Sequence, residues 1–233
     1  MPGKKFFGEG IPGINPAELK GVFIVVEGAD CSGRSTQVDL LRSHLEVKGH
    51  AVADVGLKRS VLVSKELEVA NNTREISPRT LSLLYATDFA DQLENKIIPA
   101  LQAGYIVIAD RYVYTLMARD LVRGADAEWL QSVYGIALVP DVVFFLKTNP
   151  QVLVERTFAK YGTFTYWESG MDLHISRQWY PCFIGYQRRL SAQFNLIGNR
   201  HNFIGINGNR SVAAISRELC RKVDEFMEKM QGQ

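Results

Sequence analysis

Short, nearly continuous apolar runs recur along the chain: "VFIVVEG" from Val22, "YIVIAD" ending at Asp110 and "PDVVFFL" ending at Leu146. None alternates polar with apolar residues as a strand with one wet face does, so each predicts a strand buried on both sides. "AVADV" and "NFIGIN" add two weaker strands. Between them the spacing turns helical. In "STQVDLLRSHLEVKG", Val38, Leu41 and Leu45 fall on one face and Gly49 supplies a stop. "SPRTLSLLYATDFADQLENKIIPALQAG" predicts a long helix with Ser77 as its cap and Pro78 in its first position. Two further helical stretches run over Tyr114 to Val122 and Asp126 to Leu138, and "SVAAISRELCRKVDEFMEKM" is an amphipathic helix expected to pack on the sheet. Buried strands alternating with helices predict an α/β fold with a parallel sheet, whose ligands bind at the carboxyl ends of the strands.

Composition narrows the partners. The chain has 233 residues, 46% hydrophobic and 22% charged, with a formal net charge of +2. That is enough for one sizeable core, and the scattered Lys and Arg make no nucleic-acid or membrane footprint. Small ligands are the expected partners. Cys31, Cys182 and Cys220 are far apart, with no CxxC pair, so neither a disulfide framework nor a zinc site follows. The apolar runs are too short to span a bilayer and "MPGKKFFGEGIPGINP" lacks the apolar segment of a signal peptide, so the expected location is cytoplasmic. Residues 1–20, rich in Gly and Pro, read as an N-terminal arm, either flexible or laid over the body.

The chemistry concentrates in "EGADCSGRSTQ", Glu27 to Gln37. Gly28, Asp30, Cys31, Ser32, Gly33, Arg34, Ser35 and Thr36 follow a strand and open a helix, the context that a phosphate-binding G-x-x-x-x-G-K-[ST] loop requires. Backbone N–H groups and the helix N-terminus hold phosphate oxygens there. Ser35 would offer its hydroxyl to Mg²⁺ and Thr36 a second donor to phosphate. Arg34 stands where the motif carries lysine: charge is kept, while a compact ammonium becomes a planar fork. Two readings follow, a working kinase whose loop accommodates arginine, or a nucleotide-binding protein that has lost turnover; the other transfer groups favour the first. Cys31 reads as a space-filling loop residue rather than a redox group.

"EGADCSGRSTQ", "LLYATDFAD", "ADRYVYT", "PDVVFFL" and "WESGMDL" stand in the order found in the thymidylate kinase family of P-loop nucleoside monophosphate kinases, which the chain resembles from about Val22 to Met230. The resemblance implies a P-loop NTPase fold with a five-stranded parallel sheet flanked by helices in residues 21–233, and a lid at about 156–171. It also implies a homodimer, and transfer of the γ-phosphate of ATP, with Mg²⁺, to a nucleoside monophosphate, by default dTMP. In that frame Arg111 would hold the acceptor phosphate, and Asp110 would serve the Mg²⁺ shell or position the attacking oxygen. Asp30 would touch the acceptor sugar or phosphate, with loop capping as its alternative. Tyr85 would stack on the base, or belong to the core. Arg59 falls in the loop lining the acceptor site. Arg156 and Lys160 are the candidate lid cations, or a solvated helix face. The base readers depart from the family pattern: Phe89 replaces an arginine one turn after Tyr85, and Thr115 and Leu116 stand where Asn or Gln is usual, with Arg119 one turn on. Phe89, Thr115 and Arg119 are therefore the remaining acceptor-site candidates, and another small phosphorylated acceptor is the enzymatic alternative.

Overall fold

The computed structural model describes residues 3–72 and 76–231; Met1, Pro2, Thr73 to Glu75, Gly232 and Gln233 lie outside them. Five strands, β1 (Val22–Gly28), β2 (Val52–Gly56), β3 (Ile106–Asp110), β4 (Val142–Lys147) and β5 (Ile204–Asn207), form one sheet in the order β2-β3-β1-β4-β5. Every pairing is parallel, with Val25 opposite both Ala109 and Val143. The five sequence-predicted strands are all present, within two residues of their expected ends.

Nine helices among the described residues connect and cover the sheet. They are α1 (Arg34–Val47), α2 (Ser64–Asn72), α3 (Pro78–Gln92), α4 (Ile98–Gln102), α5 (Val113–Val122), α6 (Ala127–Val133), α7 (Pro150–Tyr161), α8 (Trp179–Arg200) and α9 (Val212–Gln231). All seven residues of β1 are buried. Its side chains alternate between two cores: Phe23 and Val25 face α3, α5 and α8, while Ile24 and Val26 face α1 and α9. The long helix expected from Ser77 is continuous but widens at Leu93–Ile97 into a π-type turn. Pro99, lacking an N–H, sits just beyond it, where the regular ladder loses a donor.

Two expectations need correction. The helix expected over Asp126 to Leu138 ends at Val133; Asp126 caps it, and Leu138 instead pairs with Phe6. The second correction is an omission: α2, nine residues long, and α8, twenty-two residues long, are not among the expected elements. Residues 3–20 lie against the body. Phe7 N–H donates to the Ala137 carbonyl at 2.8 Å, Val139 N–H to Lys5 at 2.8 Å, and Lys4 pairs with Asp141. The Phe7 ring meets Tyr114 at 5.6 Å and His201 at 5.3 Å.

Candidate active site

The carboxyl ends of β1 and β3 and the turn after β5 meet on one side of the sheet, where the first loop turns into α1. Cys31 and Gly33 both take left-handed conformations, with φ of 59° and 89°. A Cβ on Gly28 would stand 2.8 Å from Ser32 Oγ, so only glycine lets the loop fold back over the strand end. Ser32 Oγ is buried and without a hydrogen-bond partner among the described residues. An orphaned donor in a concave loop is a place prepared for an anion oxygen.

Arg34 is 7% exposed and turned into the floor of the loop. Its Nε pairs with Asp110, and its Nη1 donates to the carbonyls of Gly28 at 2.6 Å and Ala29 at 3.2 Å. Ser35 Oγ donates to the other Asp110 oxygen at 2.6 Å. Asp110 thus joins the strand end, the loop and the first turn of α1. Loop residues 29–36 share a wide cavity with Leu57, Arg59, Asp110, Arg111, Arg156, Lys160, Tyr161 and Glu168. Arg156 reaches back from α7, donating to the carbonyls of Ser32 at 2.9 Å and Gly208 at 3.0 Å. Lys160 lies 4.9 Å from the centre of the Tyr161 ring. Arg59 stands at the rim, its Nη1 2.6 Å from Asp54 Oδ2.

Arg111 follows β3 in a left-handed conformation, φ 74°, where a non-glycine residue is strained by about 1–3 kcal/mol. Its Nη2 pairs with Asp30 Oδ1, and Arg119 Nη2 donates to Asp30 Oδ2 at 2.6 Å. Arg111 Nε is buried and has no hydrogen-bond partner among the described residues. Burial and the Arg119 guanidinium push the Arg111 guanidinium down to about 9, so an added anion is favoured here. Beside this cluster a narrow slot is lined by Lys58, Leu81, Ser82, Tyr85, Leu116, Asp120, Arg123, Trp167 and Tyr186, with Arg111, Arg119 and Glu168 again. The Tyr85 hydroxyl donates to Asn71 Oδ1 at 3.1 Å, which holds the ring against the slot. Burial pushes the Asp120 carboxyl above its ordinary value, against Ser82, Arg123 and Arg119, which favour the ionised form.

Two acceptor candidates fall elsewhere. Thr115, 2% exposed, is directed beneath the site, where its hydroxyl and N–H both donate to the buried Glu27 carboxylate. Glu27 also accepts from Tyr112 N–H at 2.9 Å, so it anchors the start of α5 from below. Phe89, 4% exposed, packs edge-to-face on Tyr112 and Tyr134 at 5.5 and 5.9 Å. Neither lines the loop cavity or the slot; Phe89 instead borders a small cleft with Leu57, Arg111 and Tyr112.

A family model for thymidylate kinase matches residues 26–201. The chain belongs to the thymidylate kinase family. It is 32% identical over 214 residues to probable thymidylate kinase 2 of Saccharolobus solfataricus, covering 90% of this chain and 99% of that one. It is 29% identical over 216 residues to thymidylate kinase of Caldanaerobacter subterraneus subsp. tengcongensis, covering 90% and 98%. To probable thymidylate kinase of Thermococcus kodakarensis it is 36% identical over 135 residues, 54% of this chain and 65% of the other.

The donor set fits what thymidylate kinases hold. No group of three or more acidic, histidine or cysteine residues among the described ones forms a metal cage. Mg²⁺ in phosphoryl-transfer sites takes one or two protein oxygens and fills its shell with phosphate and water, and Ser35 and Asp110 offer such a pair. Sequence reasoning missed Ser82, Asp120, Arg123 and Glu168. Arg123 donates to Asp172 at 2.8 and 3.2 Å and to the Trp167 carbonyl at 3.0 Å, tying the loop at 167–172 to the end of α5. Glu168 lines both the cavity and the slot, and its charge acts on Arg111, Arg119 and Lys160.

Proposed function

We propose that the chain transfers the γ-phosphate of ATP to dTMP, giving dTDP and ADP, with the loop cavity holding the triphosphate and the slot holding the acceptor. The observation that carries this reading is that the two spaces meet: Arg111 lines both, with Asp30 and Arg119 bonded around it. A phosphate cradle and a ring-sized slot sharing one arginine is what in-line transfer between two bound phosphates needs. The residues assigned to ATP are Gly28, Asp30 to Thr36, Arg156 and Lys160, and those assigned to the acceptor are Asp30, Arg59, Tyr85, Arg111 and Arg119. Ser35 and Asp110 would hold Mg²⁺, which supplies neutralisation of the charge that develops on the transferring group. Arg111 orients the acceptor phosphate. Arg156, fixed to the loop and to Gly208, keeps α7 over the cavity, and residues of the lid at about 156–171 exclude water from it.

No helix among the described residues is long and apolar enough to cross a membrane. By resemblance to the family the working unit is a cytoplasmic homodimer, with residues 21–233 as the catalytic unit and residues 1–20 as an arm. The test is ADP release with Mg-ATP across ribo- and deoxynucleoside monophosphates, with Arg111→Ala as control. Turnover on dTMP above the rest, lost in the control, is expected. Binding of ATP with no turnover on any monophosphate would overturn the reading.

A further inference from the structure

The slot beside Tyr85 is more polar than stacking a ring requires. Its wall includes the last turn of α5, where Arg119 and Asp120 are neighbours, and Ser82 of α3 faces Asp120. Ser82 Oγ donates to Asp120 Oδ2 at 2.5 Å. Asp120 Oδ1 accepts no hydrogen bond among the described residues. Arg123 is not its partner, since that guanidinium is directed to Asp172, the Trp167 and Arg119 carbonyls and the Tyr186 hydroxyl. Arg119 gives one nitrogen to Asp30 and keeps further donors.

An ionised carboxylate only accepts hydrogen bonds, and a half-buried one with an open oxygen is costly until a donor arrives. Apart from the bond from Ser82 and the charges of Arg119 and Arg123 nearby, the bonds at this turn that involve residue 120 among the described residues, from Arg123 N–H and Ala125 N–H, go to its backbone carbonyl. We infer that Asp120 is a specificity-determining residue that accepts a hydrogen bond from the ring N–H of the acceptor base, in dTMP the N3 imide proton, while Arg119 donates to an adjoining ring carbonyl. The inference rests on the slot being the acceptor site. A site built to take a substrate N–H discriminates strongly against an analogue lacking it, because its buried acceptor is then left unpaired.

The test compares kcat/KM for dTMP and for its N3-methyl analogue, in the wild type and in Asp120→Ala, with the KM for ATP and the melting temperature measured alongside. The wild type is expected to reject the methylated analogue by about a hundredfold or more. Asp120→Ala is expected to lose about ten- to a hundredfold on dTMP, mainly in KM for the acceptor, and to narrow the discrimination at least tenfold, with the KM for ATP unchanged. Asp120→Asn, which keeps the shape and the link to Ser82, carries the same comparison should the alanine variant fold poorly, and an intermediate discrimination is expected of it. Discrimination as strong in the variants as in the wild type overturns the inference and leaves the acceptor assignment standing. A loss that appears only as lower melting temperature and weaker ATP binding overturns it as well. A wild type silent on dTMP overturns the acceptor assignment, and the inference falls with it.

Discussion

Replacing Arg34 by lysine restores the residue that phosphate loops usually carry, and the structure predicts that this harms the protein. Arg34 uses its fork on three partners at once: Asp110, the Gly28 carbonyl and the Ala29 carbonyl. An ammonium group carries the same charge on a single nitrogen and cannot keep the planar geometry. Arg34→Lys should keep a contact to Asp110 and release at least one loop carbonyl. Each buried hydrogen bond to a charged group contributes about 1.5–3 kcal/mol, so a net loss of about 2–3 kcal/mol is expected. At this chain length that lowers the melting temperature by about 4–12 °C, taking about 2–4 °C per kcal/mol. Arg34→Met should lose more, about 3–5 kcal/mol, since it strands the buried Asp110 carboxylate without its cation.

Turnover should follow stability, because the tethered carbonyls fix which way the loop N–H groups face. Arg34→Lys is expected to lower kcat/KM for ATP by at least tenfold in a coupled ADP-release assay at saturating acceptor. An unchanged urea midpoint together with a higher kcat would refute the reasoning. That pair of results would mean the fork is a makeshift and that lysine, free to reach the phosphates, is the better residue.

Three further outcomes are expected. Tyr85→Ala should raise the acceptor KM about ten- to a hundredfold, the worth of one ring stacked on an aromatic side chain, while Tyr85→Phe, losing only the bond to Asn71, stays near wild type; equal KM values in steady-state kinetics would rule out stacking. Chelating divalent cations should abolish turnover, and Ser35→Ala should raise the Mg²⁺ concentration giving half-maximal rate, so metal-independent transfer would count against the pair with Asp110. Burial pushes the Glu27 carboxyl above its ordinary 4.5, opposed by Thr115 and Arg34. A raised folded-state value means the group's stabilisation is complete below pH 4.5 and is lost as pH rises through the folded value. Urea midpoints from pH 4 to 8 should therefore show the wild type losing ground to Glu27→Gln as pH rises, and a constant difference would contradict the sign.

The strands were legible because a strand buried on both faces must be apolar throughout, and the loop because its chemistry is local. What failed depended on distance in sequence. Helix α8 begins "WYPCFIG", where Pro181 and Gly185 look like breakers. Proline is tolerated in a first turn, and Gly185 admits Ile175 of the preceding loop, whose Cγ2 would lie 2.8 Å from a Cβ there. Phe89 stands one turn beyond Tyr85 on α3, and one turn advances about 5.4 Å, enough to pass from slot to core. Asp120 and Ser82 are 38 positions apart, so the slot wall exists only once α3 and α5 have packed.

The same long-range pairing answers how several cationic groups can crowd one end of a sheet before any phosphate arrives. Arg34 is matched by Asp110, Arg111 and Arg119 share Asp30, and Arg156 is held by two carbonyls. Glu168 projects its negative charge onto Arg111, Arg119 and Lys160. Unmatched, these cations would repel one another and strain the fold. Matched, they are oriented at little electrostatic penalty, and an arriving phosphate exchanges one anion for another. A site assembled this way sets carboxylates among its cations and leaves only a small local excess of positive charge for composition to reveal. That is why a net charge of +2 gave no hint of it, and why the informative residues were the carboxylates between the cations.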